Sequence, residues 1–79
     1  MNSNKVEKIF WWLKEHDDKA IIPIGGLTIY LEAFWTSKLD NKFKIEYRID
    51  EIDVNGNLEY SNFYIDEILN YIDNVTQIK

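Results

Sequence analysis

Apolar positions near the start of the chain recur at helical spacing. Val6, Ile9, Phe10 and Leu13 fall on one face, which predicts a helix over Asn4 to His16. Asn4 can cap it, with Glu7 three residues on as in a capping box. Trp12 lies at the edge of that stripe, and Trp11 nearly opposite, beside Glu7, Lys14 and Glu15. The pattern then changes to alternation. Ala20 to Ile24 reads as a short strand, and Pro23, with no N–H to donate, places it at a sheet edge or ends it there. Gly25-Gly26 reads as a tight hairpin turn.

From Leu27 to Thr36, Leu27, Ile29, Leu31, Ala33 and Trp35 share one face of a second strand. Thr28, Tyr30, Glu32, Phe34 and Thr36 share the other, so the outer face keeps two aromatics. Ser37 to Asn41 is a turn, and Phe43 to Val54 a long strand with Phe43, Ile45, Tyr47 and Ile49 inward. Ile52 and Val54 sit on the polar parity, which calls for a bulge near Asp50-Glu51 or a twist that ends the core-facing part. Asn55-Gly56 is a strong hairpin signal, and Leu58 to Tyr60 begins a return strand. A last helix starts near Ser61 or Asn62. Ile65, Ile68, Leu69, Ile72 and Val75 form its buried stripe, flanked by Tyr64 and Tyr71. Asp66, Asn70 and Asp73 lie opposite. Short turns exclude a parallel sheet. The expected fold is α+β: a helix, a four-stranded antiparallel sheet, and a C-terminal helix, with both helices on one sheet face.

Composition adds that residues 1–79 make one domain, rich enough in apolar groups (46%) to build a dense core. There is no cysteine, so neither disulfides nor thiolate chemistry are available. The start of the chain has no signal-peptide pattern, and the longest apolar stretch is broken by Pro23, Gly25, Gly26 and Glu32. A cytoplasmic, membrane-free protein is the expectation.

Charge changes the picture more. The net charge is −5, and it is unevenly spread. Residues 1–44 hold seven lysines and six acids, whereas residues 45–79 hold two basic residues and eight acids. Asp50, Glu51, Asp53, Glu59, Asp66, Glu67 and Asp73 run without any basic residue between Ile49 and Ile78. Such a field repels nucleic acid and attracts basic surfaces, or simply keeps the protein soluble.

Catalytic material is sparse. His16 is the only histidine, and its neighbours Asp17 and Asp18 are consecutive loop residues unsuited to converge on one ion. No serine stands in a Gly-x-Ser-x-Gly context, and no phosphate loop is present. The segment Glu51 to Asn62 partly matches a calcium loop, but Glu51 would be its first ligand and Asn62 its twelfth. No enzyme activity, metal or other cofactor is expected.

What remains is surface. The seven acids, with Trp11, Tyr30 and Phe34 as aromatic anchors, are the candidate partner-binding residues. Asp66 and Asp73 would stand about 10 Å apart on one helix face, compatible with mimicry of DNA phosphates. In size, acidity, lack of cysteine and element order, the chain resembles small phage-encoded inhibitors of the anti-CRISPR and DNA-mimic type. That resemblance implies a partner that is a basic nucleic-acid-binding protein, such as a nuclease or CRISPR effector, in the host cytoplasm. It carries over no residue, because those families share no motif. Toxin-immunity proteins look similar in the same way. A homodimeric assembly module using the Tyr30 and Phe34 face is the other expectation.

Overall fold

The computed structural model describes residues 3–60 and 64–77. The elements are α1 (Ser3–Lys14), β1 (Lys19–Ile24), β2 (Leu27–Ser37), β3 (Lys42–Ile49), β4 (Val54–Asn57) and α2 (Ile65–Gln77). Two single-turn 3₁₀ segments, Asp50–Ile52 and Leu58–Tyr60, flank β4. The strands form one antiparallel meander in the order β1-β2-β3-β4. This is the expected α+β architecture.

Alternation sets the faces. Ile22, Ile29, Leu31, Ala33, Ile45 and Ile49 are buried on one side of the sheet. They form one cluster with Val6, Ile9, Phe10 and Leu13 of α1 and Ile65, Ile68 and Ile72 of α2. Both helices therefore cover the same face. Phe10 stacks on Phe43 at 4.1 Å between ring centroids and meets Trp35 edge-on at 4.9 Å. The α2 stripe fades at its end, where Val75 is exposed although its spacing predicts burial.

Each connection has its own chemistry. α1 stops at Lys14, two residues before the expected end, because Asp17 and Asp18 both take left-handed backbone angles (φ 64° and 67°). The Leu13 carbonyl accepts from both His16 and Asp18 N–H, at 2.8 Å each, and closes the helix. The Gly25-Gly26 turn joins Ile24 and Leu27 directly, with a positive φ of 60° at Gly25 that glycine adopts without strain. In the next turn, Ser37 Oγ donates to Asp40 Oδ2 at 3.1 Å, and Asn41 is left-handed at φ 56°.

The β3–β4 connection departs from expectation. The turn is not at Asn55-Gly56. It is the 3₁₀ turn Asp50–Ile52, ended by left-handed Asp53 (φ 53°), and Asn55-Gly56 lie inside β4. β3 ends at Ile49 rather than Val54, and Leu58–Tyr60 is 3₁₀ rather than strand. The turn in place of a bulge accounts for the change of phase, since it sets Val54 opposite core-facing Ile49, although Ile52 and Val54 stay exposed. The early turn also lets Leu58 reach the core, where it is fully buried. Gly56 pairs with Tyr47, whose ring would lie 3.4 Å from any Cβ placed there. The expected caps Ser61 and Asn62 lie outside the described residues.

Candidate functional site

With both helices on one face, the opposite sheet face carries no helix among the described residues. In register across it stand Ile21, Tyr30, Arg48 and Asn55 in one row and Lys19, Glu32, Glu46 and Asn57 in the next. Phe34 and Lys44 form a third, shorter row. Seven of these side chains line a groove of about 840 Å³ open to solvent, running over β1 to β4. That volume lies within the range of ligand sites, although the groove is shallow and carries both apolar and charged walls.

Tyr30 lies on the groove floor. The Arg48 guanidinium sits 4.7 Å above its ring, and Arg48 Nε donates to Asp50 Oδ1 at 2.9 Å. Lys44 repeats the arrangement, 5.6 Å over the Phe34 ring and 3.1 Å from Glu46 Oε2. Ile21 is 61% exposed beside Tyr30. Its exposure follows from position, since β1 is an edge strand and no fifth strand pairs with it among the described residues.

The acidic candidates divide. Asp66 and Asp73, on α2, do not stand as a bare row. Lys5 of α1 binds Asp66 at 2.8 Å and Lys8 binds Asp73 at 3.4 Å, so the two helices exchange charge side by side. Asp50 is engaged by Arg48. Asp53, Glu59 and Glu67 are exposed and form no ion pair among the described residues. The side chain of Glu51 lies outside the described residues, as does Asn62 at the far end of the calcium-like segment. Among the described residues no cluster of three metal-binding side chains forms.

The aromatic candidates also divide. Tyr30 and Phe34 share the uncovered face, as the alternation predicts. Trp11 is 47% exposed, but its ring meets Phe10 at 5.3 Å and Trp35 at 5.8 Å, both edge-on. It closes the end of the aromatic cluster and lies on the helix side of the sheet, apart from the groove. His16 is likewise remote from the groove. It stacks on Trp12 at 4.2 Å, and its Nδ1–H donates to the Trp12 carbonyl at 2.7 Å.

Ile21, Glu32, Glu46 and Arg48 belong to the site and were not among the sequence candidates. Their signal is the same parity that marks Tyr30 and Phe34, carried across to β1 and β3. Among the described residues no helix is long and apolar enough to cross a membrane. No protein-family model matches this chain, and neither curated proteins nor solved structures yield a match.

Proposed function

We propose that this chain is a non-enzymatic binding protein that docks a partner protein on the uncovered face of its sheet. The observation that carries the reading is the groove over Ile21, Tyr30, Glu32 and Arg48, with apolar and charged walls, on a face that no helix covers among the described residues. Aromatic and arginine side chains are over-represented among residues that dominate protein interfaces, and Tyr30 and Arg48 are held together here.

A second reading is favoured by Asp53, Glu59 and Glu67, the exposed acids without ion pairs among the described residues. Through them the chain would inhibit a basic nucleic-acid-binding protein, as the resemblance to DNA-mimic inhibitors implies. Its weakness is that Lys5, Lys8 and Arg48 hold Asp66, Asp73 and Asp50.

One capture experiment from lysate of the source cells separates the two. Three baits are compared: the unaltered chain, an Ile21→Ser/Tyr30→Ser variant, and an Asp53→Asn/Glu59→Gln/Glu67→Gln variant. Circular dichroism checks that each is folded. The docking reading expects a protein retained by the first and third baits and lost from the second. Loss from the third bait alone would replace it with the inhibitor reading. Identical capture by all three would defeat both.

A further inference from the structure

We infer that the groove receives a lysine or arginine side chain from an extended segment of the partner, seated over Glu32 and Glu46. This rests on the docking reading above and names the chemistry of what docks.

The three β2–β3 rungs on the uncovered face are Tyr30–Arg48, Glu32–Glu46 and Phe34–Lys44. The outer two each set a cation over an aromatic ring. The middle one sets carboxylate against carboxylate, an arrangement that destabilises an antiparallel pair. Glu46 is held by Lys44 at 3.1 Å. Glu32 is half-buried and makes no side-chain hydrogen bond or ion pair among the described residues. Lys19, its neighbour on β1, stands in register without closing on it.

An incoming cation gains on three counts. It meets an unpartnered carboxylate, relieves the Glu32–Glu46 repulsion, and lays its aliphatic stem along Ile21 and Tyr30. The face's own cations over the rings are already engaged, Arg48 by Asp50 and Lys44 by Glu46, which leaves Lys19 as the lining cation outside an ion pair among the described residues. A second copy of the chain packed face to face, with its two-fold axis parallel to the sheet and above the middle rung, would set Glu32 against either Glu32 or Glu46 of the other copy, concentrating four carboxylates. An extended segment suits the site because side chains at every second position repeat about 6.8 Å apart, matching the rungs.

The test is a titration of the ¹⁵N-labelled chain with blocked pentapeptides Val-Thr-X-Thr-Val, followed by amide shifts. X is arginine, lysine, citrulline or glutamate. Citrulline keeps the shape of arginine and lacks its charge. The expected result is saturable shifts of β2 and β3 amides with arginine and lysine, and affinity about fivefold weaker with citrulline. Glu32→Gln should bring arginine down to the citrulline level, with amide shifts away from the groove unchanged, and Glu46→Gln should weaken binding in the same direction. Equal binding of arginine and citrulline, stronger binding of glutamate, or no shift of the face with any peptide overturns the inference. In each of those cases the docking reading stands or falls separately, on whether Ile21→Ser/Tyr30→Ser still loses its captured partner.

Discussion

Asp17 and Asp18 show how much conformation single residues carry. Both hold left-handed angles immediately after α1, where a side chain other than glycine costs energy. Asp17 is exposed and makes no ion pair among the described residues, so removing its Cβ loses nothing else. Asp17→Gly is expected to raise stability by about 0.5–1 kcal/mol, the relief of backbone strain exceeding the added freedom of the unfolded chain. Thermal unfolding should move up by roughly 2–8 °C in a domain of this size. Phe10 is the opposite case. It is fully buried between Phe43, Trp35 and Trp11. Phe10→Ala should cost about 3–5 kcal/mol, a large part of what a small domain possesses. A shift of the urea midpoint, with loss of near-ultraviolet dichroism from the aromatic cluster, would show it. Burial of Phe10 was legible from its spacing with Val6, Ile9 and Leu13. The exposed site of Trp11 was legible too, but not its edge contact with Trp35, which needs the strand to pass beneath the helix.

Among the elements, β1 shows sequence and pairing acting together. Ala33 N–H donates to the Asp18 carbonyl at 2.8 Å, which sets the hydrogen-bonding parity of the β1–β2 ladder. By that parity Lys19, Ile21 and Pro23 turn their backbone groups to the free edge. Pro23 therefore sacrifices no ladder bond, and it removes one donor that another strand could use. Pro23→Val is expected to leave the fold intact and to raise self-association, measured by sedimentation velocity over a concentration series. An unchanged monomer would show that the proline does not guard this edge. The helix pair makes a different prediction. Lys5–Asp66 and Lys8–Asp73 are solvent-exposed, so a double-mutant cycle on either should give a coupling of about 0.2–1 kcal/mol that falls at high salt. The one turn misplaced by local reasoning is the β3–β4 connection. Asn55-Gly56 has strong turn propensity, yet it is overruled. Turning at Asp50–Asp53 pairs Ile49 with Val54 and sends Leu58 into the core, and burial of one leucine outweighs a preference between turn types.

For the whole molecule, the decisive fact is that one face of the sheet is covered and the other is not. A partner docked in the groove should respond modestly to salt, because its contact is largely apolar with one central charge. A partner held by Asp53, Glu59 and Glu67 should respond steeply. Binding of the captured protein measured between low and high ionic strength distinguishes these directly. The uneven charge along the chain was plain in the sequence. Its cancellation was not, since Lys5 and Asp66 are 61 positions apart and Lys8 and Asp73 are 65 apart.

The amino-acid sequence by itself determined the two helices and the antiparallel sheet between them, the two faces of β2 and β3, and the placing of Tyr30 and Phe34 opposite the core. These follow from periodicity and backbone preference, which act over a few neighbouring residues. Tertiary structure alone decided where β3 turns, which acids keep a free charge, and that Glu32 faces Glu46 between two cation-capped rings. Those outcomes depend on register and on helix packing, where contacts between distant segments set the energy and local propensity yields to burial.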